Sequence, residues 1–441
     1  LTLDTNPVLD IVVDDNMHIE TENLSWSNTY YWKVCPIYIS SETENCSESS
    51  TFYISQQKFP SIDANIYNED NLQEGLVIFG GFAPDVASAV IDKYGNEIWN
   101  DGYLNFILNH VNEYGNIYGL STVDFPMHTG SKINYDNNFI WSAPADANLD
   151  GVINEQDAID IHEIKQLPNG NYMAFVPDFT QLGPIPQGDW TFLFQIIGYQ
   201  ADGITNEYPY IGMRIVEWDE EGNEIWNWNP FDHFSMLDTD LYGGNWWGAY
   251  QNGNYDWMHS NAFHFDENES VIYVSHRHLS RISKIAYPSG DVIWNMGMPA
   301  QYNTGENNIC TDLGFSFQHN IQLLDDGSLL FFDNGNLSQM LMGDTNPTTR
   351  IRRIRVINDS FCETIWQYDL PANLFGLGMG SVQLLDNGNY FIYTFGSGLN
   401  IQQPTLREVT PNYDVVWNYE GSYEPPYNNV AWYRSYKIPS L

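Results

Sequence analysis

Three histidines of this chain open the same kind of segment. His162 lies seven residues before the turn residue Asn169 in HEIKQLPNGNYMAFV, and His319 lies seven before Asp326 in HNIQLLDDGSLLFFD. His259 lies eight before Glu267 in HSNAFHFDENESVIYVS, and Gly380 holds the place seven before Asn387 in GSVQLLDNGNYFIYT. An imidazole can act near neutral pH as nucleophile, general acid or base, or metal ligand. A single histidine at a strand start is ordinarily a hydrogen-bonded structural residue; three at one register point to a shared pocket. Nucleophilic and acid–base chemistry fits such a set, and so does a zinc ion with one open position. Against zinc stands the lack of an acidic or cysteine ligand at a matching register. Arg277 follows His259 by 18 residues, in the cluster His276, Arg277, His278, Arg281 and Lys284. Its permanent charge and forked donors suit an anion with several oxygens. Alternation along a strand turns about half of this cluster to solvent.

These residues are far apart in the chain, so a repeating scaffold must bring them together. A hydrophobic pair ending in tryptophan recurs after polar turns: NEIW at Trp99, NFIW at Trp141, NEIW at Trp226, DVIW at Trp294, ETIW at Trp366 and DVVW at Trp417. Several of these close a hairpin, as in RIVEWDEEGNEIW and KIAYPSGDVIW. The histidine-led segments add a strand, a turn of the N-G or D-G kind, and another strand. Each repeat therefore holds about four strands, the size of a propeller blade, and helical periodicity is almost absent. The expected fold is all-β, a six-bladed β-propeller whose blades each line a central channel with their first strand. Residues 1–60 do not fit the repeat. Their LSWSNTYYWKVCPIYIS alternates like part of a small β-sandwich-like domain ahead of a propeller over 61–441.

Sixteen Lys and Arg against 57 Asp and Glu give a formal charge of -41, which repels phosphate backbones and anionic lipid surfaces alike. No nucleic-acid partner is expected. No apolar run reaches the roughly 18 to 20 residues of a membrane helix, and LTLDTNPVLD lacks the charged and apolar regions of a signal peptide. A soluble exported chain whose leader is already gone is expected. Four cysteines without C-x-x-C spacing suit two disulfides in an oxidising compartment. Cys35 with Cys46 and Cys310 with Cys362 is the favoured pairing, two others remaining open.

One acidic stretch has metal-ligand spacing. DANLDGVINEQD places Asp146, Asn148, Asp150, the Val152 carbonyl, Asn154 and Asp157 at positions 1, 3, 5, 7, 9 and 12 of an EF-hand-like loop over 146–157, with Gly151 at position 6. Asp at the last position is the dockerin form of this loop. A structural calcium is expected there, ordering the chain that leads into His162.

DIHEIKQLPNGNYM, EWDEEGNEIWNWNPFDH, DWMHSNAFHFD with VSHRH, and FSFQHNIQLLDDGSLLFFDNGN occur in that order and resemble segments of the bacterial arylsulfate sulfotransferases. These are six-bladed propellers exported to an oxidising compartment. The resemblance runs from about residue 60 to the C terminus. It implies transfer of a sulfuryl group from a phenolic sulfate ester to a phenol acceptor, without a nucleotide sulfate donor (PAPS) and by a ping-pong mechanism through a sulfohistidine. His319 of FSFQHN then resembles the nucleophile, and His162, His259 and Arg277 match the other site residues. No cofactor or metal is implied for catalysis, and no P-loop pattern is present. The strand after FFDNG reads TTRIRRIRVIN, a departure that leaves open whether Arg350 or Arg352 contributes. A secreted, periplasmic or cell-surface location follows from the resemblance. Two other functions suit the same fold: an aryl-sulfate hydrolase with water as acceptor, and a non-catalytic propeller that binds partners or assembles as a homo-oligomer at a cell surface. The intact set of three histidines and Arg277 argues against a decayed site.

Overall fold

The computed structural model describes residues 7–13, 23–37, 46–59, 64–83, 86–112, 115–122, 129–147, 153, 157–239, 242, 246–299, 302, 308–396, 403–421 and 430–441. Six sheets, each built on four antiparallel strands, succeed one another around a channel. Blade 1 comprises Phe106–Val111, Ile117–Ser121, Thr129–Ile133 and Phe139–Ser142; blade 2 comprises Ile164–Gln166, Tyr172–Pro184, Asn206–Trp218 and Glu224–Trp228. Blade 3 comprises Ser260–Asp266, Val271–His276, Arg281–Ala286 and Val292–Gly297; blade 4 comprises His319–Leu323, Leu329–Asp333, Arg350–Ile357 and Phe361–Asp369. Blade 5 comprises Ser381–Leu384, Tyr390–Phe395, Pro404–Val409 and Val415–Glu420. Blade 6 is made from both ends of the chain: Ala431–Ile438 is innermost, and Leu76–Ala83, Ala87–Ile91 and Glu97–Asn100 follow outward. The blade count is the one that the tryptophan repeat predicts. The first strand of each of blades 1 to 5 lies innermost, and the last strand of the chain closes the circle.

Each blade is buried on both faces, so alternate residues of one strand pack against different neighbours. In blade 6, Ile78 and Val90 join Phe106 and Leu108 of blade 1, whereas Val77, Phe79 and Ala89 join Phe391, Tyr393 and Trp417 of blade 5. Each junction between blades has its own apolar core in this way, so the hydrophobic stabilisation is spread around the ring.

The repeated tryptophans have a common task. Trp99 of blade 6 donates its indole N–H to the Tyr135 carbonyl of blade 1, at 2.7 Å, and Trp141 donates to the Glu220 carbonyl of blade 2 at 3.1 Å. Trp226 reaches the Pro288 carbonyl of blade 3, Trp294 the Asp359 carboxylate of blade 4, Trp366 the Pro411 carbonyl of blade 5, and Trp417 the Lys93 carbonyl of blade 6. Every acceptor sits in the turn between the third and fourth strands of the next blade. The six bonds therefore form a closed ring, donor to acceptor, around the rim.

Residues before the propeller form a two-stranded ribbon, Thr29–Trp32 with Ser50–Tyr53, clipped by the Cys35–Cys46 disulfide. It is the one sheet outside the blades among the described residues. The chain then docks on blade 6, where Lys58 pairs with Asp101 at 2.7 Å and Phe59 packs edge-on against Phe79 and Trp432. Asn65–Ile66 adds a fifth strand to blade 5. The second disulfide, Cys310–Cys362, ties the segment after blade 3 to the outer strand of blade 4. Two bridges suit an oxidising compartment. No described helix is long and apolar enough to cross a membrane.

Replacing Trp417 by Phe should keep most of the buried ring and lose one inter-blade hydrogen bond, a cost of about 0.5–1.5 kcal/mol. Replacement by Ala should cost about 3–5 kcal/mol. Urea denaturation of the two variants checks both; no loss in the Phe variant would mean that the ring bond adds nothing.

Candidate functional site

The innermost strands of blades 2, 3 and 4 begin at one end of the channel, and His162, His259 and His319 stand at or just before those beginnings. The rings of His162 and His259 meet edge to face with centroids 4.6 Å apart. His319 is 2 % exposed, and Arg277, His162 and His259 are all near enough to bear on its charge. The three histidines of the register are thus brought close together. In blade 5 the equivalent residue is Gly380, at φ +107, where a Cβ would fall 2.4 Å from the ring of Phe332. A side chain has no room at that position.

Each histidine is held by its Nδ1. His162 Nδ1 bonds the Asp160 carboxylate at 2.5 Å, and that carboxylate also accepts the His162 backbone N–H at 3.0 Å. His259 Nδ1 bonds the Asp256 carboxylate. Asp256 reaches it by an indirect route. The middle strands of blade 2 run for 13 residues each, well past the blade, and Tyr255–Asp256 pairs in parallel with Tyr210 and Ile211 on that extension. Burial opposes charge on Asp256, but His259 and His278 outweigh it and hold the carboxyl far below its ordinary range. His278 stacks on His259 with centroids 4.6 Å apart and donates from Nδ1 to the Asp256 carbonyl at 2.8 Å.

His319 differs in having no carboxylate partner among these contacts. Its Nδ1 lies 3.0 Å from the Phe317 carbonyl and 2.7 Å from Asn334 Oδ1, two acceptors. The amide of Asn334 cannot be reversed, because its Nδ2 donates to the Gly376 and Met379 carbonyls at 2.9 Å each. The proton is therefore on Nδ1, and Nε2 carries a lone pair. Burial, and then the charge of Arg277, push the pKa of His319 well below its ordinary value, so the ring stays neutral near pH 7. The backbone is strained around this pocket: His259, Phe317, Asn320 and Met379 all hold left-handed φ values between 48 and 59°.

Arg277 follows the second strand of blade 3; its guanidinium lies over the Phe317 ring at 4.5 Å, and its Nη2 approaches the Leu377 carbonyl at 3.4 Å. The rest of its cluster is divided. His276 and Arg281 are fully buried, Arg281 paired with Asp238, and Lys284 pairs with Glu269 at the surface. Arg350 is engaged by Asp344 and Asp369, and Arg352 by Asp333 and Gln367. Neither is brought to the histidines by these contacts.

Asp256, His259 and His278 place ligand atoms within 4.8 Å of one another, the geometry a metal could use. The Nδ1 atoms of His259 and His278 are both engaged by Asp256, through its carboxylate and its carbonyl. Of the loop expected from its spacing to bind calcium, Asn148, Asp150, Val152 and Asn154 lie outside the described residues, while Asp146 and Asp157 mark its ends and Asp157 is buried. Sequence reasoning missed Asp160, Asp256 and Asn334 as partners. The first two carried a signal, an acid two or three residues ahead of each histidine. Asn334 lies within FFDNGN and reads simply as a turn residue.

A family model described as arylsulfotransferase (ASST) matches residues 148–420, more than half of the chain. No curated protein matches. Among solved structures, a protein of unknown function from Bacteroides caccae is 12% identical with a TM-score of 0.44, covering 83% of this chain and 99% of its own. Virginiamycin B lyase from Staphylococcus aureus is 11% identical with a TM-score of 0.38, covering 83% and 90%. The β-propeller domain of a Myceliophteria thermophila protein is 10% identical with a TM-score of 0.39, covering 83% and 88%.

Burial gives the site and its surroundings a pH signature. It lowers the values of His110 and His319, takes His264 to about 4, and takes His276 and His278 to about 3. An unfolded histidine titrates near 6.5, so below that pH the unfolded chain binds more protons than the folded one. Stability should fall as pH drops from about 7 to about 5, and His276→Gln should flatten that slope. Urea midpoints measured across the range provide the check; a flat profile for the unsubstituted protein would contradict it.

Proposed function

Because this chain belongs to the arylsulfotransferase family, we propose that the channel pocket moves a sulfuryl group from a phenolic sulfate ester to a phenol by way of a sulfohistidine at His319 Nε2. The observation that carries this reading is the double acceptor on His319 Nδ1, which leaves Nε2 as the nucleophile. In the first half-reaction the Nε2 lone pair forms a bond to sulfur, and the aryl oxygen–sulfur bond breaks with its electron pair going to the phenolate. A protonated imidazole of His162 or His259 gives that oxygen its proton. Asp160 and Asp256, on the Nδ1 atoms, fix the tautomer and offset the imidazolium charge. In the second half-reaction an acceptor phenol returns a proton to the same imidazole, its oxygen bonds to sulfur, and the nitrogen–sulfur bond breaks.

Charge in such a transfer is spread over three sulfuryl oxygens, so fixed donors around them lower the barrier. Arg277 is the donor suited to them, being permanently charged, forked and braced on Phe317. Sulfation of Nε2 puts positive charge on the ring, which the Asn334 and Phe317 oxygens stabilise through Nδ1–H. We further propose that calcium occupies the loop 146–157, with Asp146, Asn148, Asp150, the Val152 carbonyl, Asn154 and Asp157 as ligands. Its contribution would be to order the chain ahead of Asp160 and His162.

His319→Ala should lower turnover of a chromogenic aryl sulfate by at least about a thousandfold. Asn334→Ala should lose roughly 10–100-fold, with the loss in the first half-reaction. Mass spectrometry after mixing with donor alone should find one SO3 group on His319. Turnover requiring an added phenol supports transfer; equal turnover in its absence indicates a hydrolase, and no turnover a binding protein. Between His162 and His259, the variant whose defect shrinks with a better leaving phenol identifies the general acid. Calcium should raise the thermal midpoint and chelation should lower it; if both midpoint and activity ignore chelation, the loop binds no structural calcium.

A further inference from the structure

The channel has a second mouth. Where the innermost strands end, away from His162, His259 and His319, a cavity of about 280 Å³ opens on the axis. Every blade supplies a wall: His110, Lys165, His264, Gln322, Gln383 and Tyr436, in blade order from 1 to 6. Lys165 lies three residues beyond His162 and His264 five beyond His259, which puts roughly 10–16 Å between the two mouths at the rise of a strand. Between them Arg434 bonds Glu163 at 2.7 Å, the Asn261 carbonyl at 2.7 Å and the Asn109 carbonyl at 3.3 Å. That buried plug separates this cavity from the site already described.

The charge of the wall is inverted relative to the chain. Asp and Glu outnumber Lys and Arg by 57 to 16 overall, yet among the described residues no Asp or Glu lines this cavity and Lys165 does. Glu163 is shared, 2.7 Å from Arg434 and 3.3 Å from Lys165 Nζ, so two cations face one carboxylate. Asp266, the other acid near His264, accepts the Asn268 backbone N–H in its own turn. An ammonium has three donors. Lys165 spends one on the Phe263 carbonyl at 2.7 Å and one towards Glu163, which leaves one for a ligand. The side chains of His110 and His264 make no hydrogen bond among the described residues, both line the cavity, and a neutral imidazole carries one N–H donor. Phe265, Leu323 and Val111 add apolar surface to the wall, beside the amides of Gln166 and Asn320.

We propose that this second mouth is a binding site for a small organic anion with an aromatic body and one acidic head, an arenesulfonate or arenecarboxylate. The head sits on Lys165 with His110 or His264, and the body lies along Phe265 and Leu323. The cavity alone carries this inference, whatever chemistry occurs at His319.

The probe is para-bromobenzenesulfonate, whose carbon–sulfur bond sulfuryl transfer from oxygen does not touch. Crystals of the full chain soaked in it should show a bromine anomalous peak against Phe265 and Leu323. Calorimetry should find this binding retained in Arg277→Met and weakened about tenfold or more in Lys165→Met, the loss of one charged hydrogen bond. His264→Gln, which leaves Glu163, Arg434 and Lys165 untouched, should weaken it severalfold and serves if Lys165→Met does not fold. Bromine found only beside Arg277 and His319 overturns the proposal. So does affinity that falls in Arg277→Met and is unchanged in the folded Lys165 or His264 variants, or binding seen at crystal concentration only.

Discussion

Arg434 is the interaction on which the geometry of the channel depends. It comes from the final strand of the chain, is 1 % exposed, and binds blade 1 through the Asn109 carbonyl, blade 2 through Glu163 and blade 3 through the Asn261 carbonyl. Glu163 follows His162 directly, and Asn261 lies two residues past His259. One guanidinium therefore sets the height at which two of the three histidines meet. A buried pair of this kind adds little net stability over apolar packing, but removing one partner leaves a costly uncompensated charge. Its value here is register: the strand that closes the propeller cannot slide without pulling Arg434 away from Glu163.

The three imidazoles differ because their partners differ. Two have carboxylates on Nδ1. The third has only neutral oxygens on Nδ1 and is buried beside a cation, so it resists protonation and keeps its lone pair. Equal positions in a repeat thus have unequal surroundings, through the residue two or three places upstream and through Asn334 after the following strand.

Much of this was legible in the sequence. The tryptophan repeat marked the blades because its indole must reach the neighbouring turn, which fixes both the residue type and its place. The histidine register was legible because every inner strand enters the channel at the same point of the repeat. Asp256 was harder to assign, since it is aligned by a parallel bridge to an extension of blade 2 that no local pattern announces. Asn334 acts across a strand pair and is oriented by carbonyls 42 and 45 residues away, a purely tertiary constraint. The ambiguity between Arg350 and Arg352 could not be resolved by alternation, because each finds its own acid partners.

The ring of tryptophan bonds bears on how the molecule comes apart. A linear array of repeats has end units that are held on one side only, and it can fray inward from them. Here every blade gives a bond to the next and receives one from the last, so there is no end unit. The single seam in the covalent order is blade 6, where Ala431–Ile438 pairs with Leu76–Ala83. Loss of that strand would break the Arg434 contacts and two apolar junctions together, so opening is a concerted event with a high barrier. The native lifetime of such a molecule is governed by the detachment of one strand, not by the sum of six blade stabilities.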